Sequence, residues 1–194
     1  GFVRDFGLQT FYDNDVLYAR GSGGAPFVHV TEQGEPSFVA LGLVAPSVDS
    51  LCEFAAEFGL GVKRIAGPGG GLKVELRDPD GFLIELVAGQ ELETANVPVR
   101  LTRHNDATTK RRMREVRRFE AGPSNVVRLG HCVLGVSSFR QSEAWYKKHF
   151  GFITSDEVVL PDGRAMGAFL RCNRGDEPTD HHSLFLVEGP RGVG

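Results

Sequence analysis

The sequence predicts an α+β protein built from repeats of a strand, a helix and about three further strands. Three observations carry this. Phe-Gly followed by an apolar residue closes an apolar-periodic segment three times, at Phe6-Gly7-Leu8, Phe58-Gly59-Leu60 and Phe150-Gly151-Phe152, as expected where glycine ends a helix. Turn-forming runs, Asp13-Asn14-Asp15, Asp78-Pro79-Asp80-Gly81 and Pro161-Asp162-Gly163, separate β-type segments. The 25 glycines among 194 residues are about twice the usual ~7% share, which suits many tight turns better than long helices.

Taken in order, the first repeat holds the helix end at Phe6 and a strand over Val16–Arg20. The second opens with an apolar run over 37–45. It continues into a helix in which Ser47 precedes Val48, Leu51, Cys52, Ala55 and Phe58 at helical spacing, then into strands over Leu72–Arg77 and 82–87. The third repeats the order: a strand over 126–136, a helix over 138–150 carrying Ala144, Trp145 and Phe150, and strands over 165–172 and 182–188. Phe6 and Phe58 lie 52 residues apart and Phe58 and Phe150 lie 92 apart, so about 40 residues are inserted after the second repeat. Alternation stops between Gly89 and Asn125, where Pro98, Pro123 and a basic run over 110–118 fall, as in an interdomain connection.

The expected organisation is therefore an N-terminal structural domain, 1–88, of two βαβββ modules, the first without its opening strand. A linker, 89–125, follows, and then the first module, 126–194, of a second domain whose other module is absent. On this reading the chain is a segment of a longer protein.

Composition excludes several classes. A formal net charge of −3 gives no global field for nucleic acid, and the 110–118 run, interrupted by Glu115 and lacking interleaved aromatics, reads as a solvated linker helix. No apolar run approaches the ~18 residues of a membrane span, and Gly1-Phe2-Val3-Arg4-Asp5 lacks signal-peptide order. Cys52, Cys132 and Cys172 have no CxxC spacing, so neither a disulfide framework nor a zinc ribbon is indicated and a reducing, cytoplasmic setting is expected. Gly67-Pro68-Gly69-Gly70-Gly71 lacks the Lys and Ser/Thr of a phosphate loop and reads as a hairpin connection.

The module pattern, with Asp-Pro-Asp-Gly-Phe-Leu-Ile-Glu-Leu over 78–86, resembles the vicinal oxygen chelate superfamily of glyoxalases, bleomycin-resistance proteins and dioxygenases. Arg128-Leu129-Gly130-His131-Cys132-Val133-Leu134-Gly135-Val136, with Phe169-Leu170-Arg171-Cys172-Asn173 leading to Asp180-His181-His182-Ser183-Leu184, resembles in particular the two-domain type I extradiol ring-cleavage dioxygenases. The resemblance implies open, barrel-like mixed sheets from paired modules. It also implies a homo-oligomer that opens a catechol with O2, using Fe(II), or in some members Mn(II), held by two histidines and a glutamate.

By that resemblance His131 is a metal ligand, His182 the acid/base near the metal, and Val133 and Phe169 part of the wall for an aromatic substrate. The second histidine and the glutamate belong to the absent module, so the reaction is assigned to the longer protein. Strand parity places Leu129, His131 and Val133 on one face and Cys132, Leu134 and Val136 on the other, where helix 138–150 can cover them. The residues alone also allow His131 to be a core histidine and Asp180-His181-His182 an exposed loop lip, since neighbours on a strand point apart. For the same reason Cys132 beside His131 reads as a small buried residue rather than a dyad. Glu85, whose partner strand holds no histidine, reads as a surface or remnant carboxylate. Two alternatives stay open: a glyoxalase-type lyase or isomerase using Zn(II) or Ni(II), and a non-catalytic binding or resistance protein.

Overall fold

The computed structural model describes residues 1–96, 107–110 and 121–193. They fall into two compact units, one of 1–34 with 91–128 and one of 35–90 with 129–194. Residues 111–118 of the basic run lie outside the described residues.

In the first unit a one-turn helix α1 (Phe2–Phe6) precedes strands β1 (Gln9–Asp13), β2 (Val16–Arg20) and β3 (His29–Thr31), which form an antiparallel sheet in the order β1-β2-β3. The β1–β2 hairpin turns at Asn14 and Asp15, both at positive φ, the conformation that Asn and Asp tolerate best among residues with a side chain.

The second unit contains two repeats of one motif. Its first half runs β4 (Leu41–Val44), α2 (Val48–Phe58), β5 (Lys63–Arg64), β6 (Leu72–Arg77) and β7 (Leu83–Ala88). Its second runs β8 (Cys132–Val136), α3 (Phe139–Phe150), β9 (Ile153–Val159), β10 (Ala165–Arg171), β11 (Leu184–Glu188) and β12 (Gly192–Val193). In each half the strand before the helix pairs in parallel with the last strand of the motif, β4 with β7 and β8 with β11, while the remaining pairs are antiparallel. The result is two open mixed sheets, β4-β7-β6-β5 and β12-β8-β11-β10-β9. The glycine-rich connection 67–71 joins β5 to β6.

Both long helices form where the spacing predicts. Ser47 Oγ accepts from the Ser50 backbone N–H at 3.0 Å and caps α2, a contact worth ~1 kcal/mol. Gly59 (φ 64°) and Gly151 (φ 66°) end α2 and α3 in the left-handed region, where a Cβ is disfavoured. The strand expected over 126–136 narrows to Cys132–Val136, and β9 escapes the sequence reading because Thr154, Ser155, Asp156 and Glu157 mask its periodicity.

The two halves of this unit share one core. Leu41, Phe82 and Ile84 cluster with Leu134, Val136, Phe139, Tyr146, Leu170, Leu184 and Leu186, and Phe54 of α2 stacks on Phe150 of α3 with ring centroids 5.6 Å apart. Polar contacts cross the same junction. Buried Asp78 accepts from Tyr146 Oη at 3.1 Å and from the backbone N–H groups of Asp80 and Phe82 at 3.0 and 2.8 Å. The Asp80 carboxylate accepts from the Ser137 N–H at 3.0 Å. The compact units therefore differ from the 1–88, 89–125 and 126–194 division. Shared apolar burial joins 35–90 to 129–194 across the intervening chain, and chain order alone does not encode which modules pack together.

An ion-pair ladder on β6 sets one pH dependence. Glu75 accepts from Lys63 and, at 2.8 Å, from Lys73, and these two ammonium donors lower its carboxyl pKa to about 2. Because the folded value lies below the ordinary one, the pairing stabilises the fold above the usual carboxylate range and is lost as pH falls toward about 2. Glu75→Gln is expected to flatten that part of the stability profile by about 1 kcal/mol or less, since the pairs are partly exposed. Denaturant unfolding at pH 6 and near pH 3, with "~" one-unit buffers either side, measures it.

Candidate functional site

All the sequence-predicted site residues lie in the second unit. On β10, Ala168 and Leu170 are fully buried toward the core, leaving Phe169 on the opposite face. On β8, Leu134 and Val136 are likewise buried and Val133 is half-buried on the other face. Between these strands β11 contributes Phe185, whose backbone pairs with both Val133 and Phe169. One row across three adjacent strands is thus Val133, Phe185, Phe169, and the rings of Phe169 and Phe185 stack at 4.2 Å. Sequence reading missed Phe185. The signal was there in the alternation Leu184-Phe185-Leu186, where the two leucines face the core.

The histidines gather at one end of this row. His131 is exposed and immediately precedes β8, and its ring lies 4.5 Å from that of half-buried His182. The His182 ring meets Phe169 edge-on at 4.9 Å. Strict alternation backward from Leu184 would send His182 toward the core, but the chain bends at 181 and 183 before β11 begins, so both histidines escape strand parity. As a result His181 and His182 do not point apart: their Nδ1 atoms are 3.1 Å from each other, one donating to the other. The expectation that adjacent histidines diverge fails here because neither sits on a strand.

Electrostatics keeps His182 neutral. Burial lowers its pKa first, and the nearby His131 and His181 rings add to this, with Asp180 opposing. Near neutral pH such an imidazole is a proton acceptor. Cys132, by contrast, packs against the core, and burial pushes its thiol pKa up, which suppresses thiolate chemistry. Cys52, Cys132 and Cys172 are all free thiols. Glu85 is held by Lys73 Nζ at 2.5 Å.

Among the described residues no group of three His, Cys, Asp or Glu side chains comes together to hold a metal ion. His131 and His182 bring two imidazoles together, so these residues do not complete a three-donor site by themselves. No helix among the described residues is long and apolar enough to cross a membrane.

Residues 128–194 match the family described as the Glyoxalase/Bleomycin resistance protein/Dioxygenase superfamily. No curated protein matches the chain in sequence. Among solved structures, a Mn(II)-bound glyoxalase from Novosphingobium aromaticivorans is similar with a TM-score of 0.69 and 22% identity, over 98% of this chain and 56% of that one. A 2,3-dioxygenase from a Pseudomonas species follows the same fold with a TM-score of 0.67 and 20% identity, over 97% of this chain and 64% of its own. For homoprotocatechuate 2,3-dioxygenase from Arthrobacter globiformis the values are 0.64 and 21%, over 97% and 54%. The chain thus spans less than two thirds of the length of each of these structures. Residues 128–194 are a module of the Glyoxalase/Bleomycin resistance protein/Dioxygenase superfamily, set in a chain that has the vicinal oxygen chelate fold.

Proposed function

We propose that the chain supplies the first ligand-bearing module of an extradiol dioxygenase, in which a catechol and O2 combine and the ring carbon–carbon bond beside the diol opens with both oxygen atoms retained in the product. The observation that carries this reading is the convergence of His131 and His182, rings 4.5 Å apart, at the end of the Val133–Phe185–Phe169 row. Similarity to two 2,3-dioxygenases supports the reaction class.

In this reading the domain that begins at 126 completes its ligand set with a further module of a longer protein. His131 is one of three protein donors to Fe(II), with Mn(II) as the alternative. The metal supplies redox chemistry that amino-acid side chains lack. The residues of this chain do the rest. Phe169, with Phe185 beside it, offers a flat apolar surface for an aromatic ring. Val133 flanks that surface on β8. His182, neutral and next to the same surface, takes a proton from a substrate hydroxyl and returns it to the opened product.

His131→Ala tests the assignment. In the full-length protein this variant is expected to lower bound iron about tenfold or more while the circular dichroism stays unchanged, because an exposed histidine is lost from a three-donor set without disturbing the core. Full iron occupancy would make His131 a structural residue. Similarity to the Mn(II)-bound glyoxalase favours a second reading, a glyoxalase-type metal enzyme. Oxygen consumption with a catechol panel separates the two, since that chemistry uses no O2.

A further inference from the structure

Arg171 closes β10 two residues beyond Phe169. Side chains two apart on a strand share a face and stand roughly 7 Å apart, so Arg171 is one step along the sheet from the ring that meets His182. The pairing of β10 with β11 is regular through Phe169 and Leu170. Its pairing with β9 is not: Phe169 faces Asp156 and Leu170 faces Thr154, leaving Ser155 as an extra residue. Such a bulge re-aims a side chain. Here the Ser155 hydroxyl accepts from Arg171 Nη1 at 3.1 Å and fixes one corner of the guanidinium.

The charge on this group is otherwise unmatched. Among the described residues Arg171 has no ion pair, whereas its neighbour Arg174 is paired with Glu177 and Arg140 is paired with Glu143 and Glu157. A guanidinium carries five N–H donors and Ser155 takes one. Arg171, Ser155, Ile153, Asn173 and His181 line an open depression of about 360 Å³, within the usual size range of a small-molecule site. His181 forms its boundary with the candidate site, with its ring 5.6 Å from Phe169 and its Nδ1 3.1 Å from that of His182.

We propose that Arg171 binds a carboxylate carried by the substrate, so that the site prefers catechols with an acidic substituent. This inference rests on the extradiol reading for the ring and on the Arg171 surroundings for the acid. The guanidinium fork matches a carboxylate in a two-point hydrogen bond. An uncharged substituent of the same size leaves the cation unmatched and is disfavoured.

The test compares, in the full-length protein, a catechol bearing a carboxymethyl group with one bearing an ethyl group. Wild-type kcat/KM should favour the acid by about tenfold or more, the scale of a charge-assisted hydrogen bond. Arg171→Gln should remove that preference and change the ethyl compound less than about threefold, and Arg171→Lys should restore part of it. Equal use of both catechols by the wild type, or an equal loss for both in Arg171→Gln, overturns the proposal. Calorimetric binding of phenylacetate, which has no diol to cleave, reads the same residue without turnover. Weakening by about tenfold or more in Arg171→Gln supports the assignment, and binding that ignores the substitution, or no binding to the wild type, sinks it. If neither catechol consumes O2 while phenylacetate binding still depends on Arg171, the extradiol reading fails and the carboxylate site stands.

Discussion

Replacing His182 with alanine in the full-length protein is expected to lower catechol turnover by roughly 10²- to 10⁴-fold, the usual scale for one general acid/base, or about 2.7–5.4 kcal/mol in the barrier. Bound metal should remain, because the expected ligand on this module is His131. The geometry motivates the split between the two histidines. The His182 ring stands between His131, 4.5 Å away, and Phe169, 4.9 Å away, beside the surface where a substrate ring would lie. Its pKa is lowered chiefly by burial, which makes it a base at neutral pH. His182→Phe separates proton transfer from packing, since it keeps an aromatic ring against Phe169 and carries no titratable nitrogen. If His182 acts by moving a proton, both variants lose rate to a similar extent and their pH–rate profiles lose one limb. Phenylalanine restoring the rate would make the role one of packing. Loss of iron in the alanine variant would instead make His182 a ligand and redraw the metal site around the segment before β11.

The parts legible in the sequence are those that local chemistry specifies. Ser47 and Gly59 bound α2 because a cap and a left-handed exit are decided by one residue each, and the parity of Leu134 and Val136 placed α3 over the correct face of β8. The Val133 and Phe169 faces followed from the same alternation. What remained hidden depends on long-range packing or on broken periodicity. Nothing local to Asp78 indicates that its carboxylate receives a hydrogen bond from Tyr146, and so the grouping of 35–90 with 129–194 was not readable from chain order. Parity also misplaced His182. Alternation holds only within a strand, and β11 starts at Leu184, two residues too late to govern it. Arg171 carried no motif at all, because its interest lies in the absence of a described carboxylate partner and in the bulge at Ser155.

Asp78→Ala is expected to destabilise the fold by about 3–5 kcal/mol, close to the largest effects seen for single substitutions. The side chain is 5% exposed and accepts from two backbone N–H groups and the Tyr146 hydroxyl. Alanine leaves those donors buried without an acceptor, at a cost of about 1–3 kcal/mol each before relaxation. It also loosens the turn that carries Asp80, whose carboxylate accepts from the Ser137 N–H ahead of α3. Tyr146→Phe removes only the cross-module donor. It should cost about 1–2 kcal/mol, since the ring still packs in the core with its neighbours Phe150 and Phe152 and Asp78 keeps its backbone partners. Because the two groups share one hydrogen bond, the double variant should be less destabilised than the two single effects added together. Denaturant unfolding of the four proteins measures this. Full additivity would mean that Asp78 acts only within its own turn, whereas a coupling of about 1 kcal/mol would identify the Asp78–Tyr146 bond as part of what joins the two halves of the second unit.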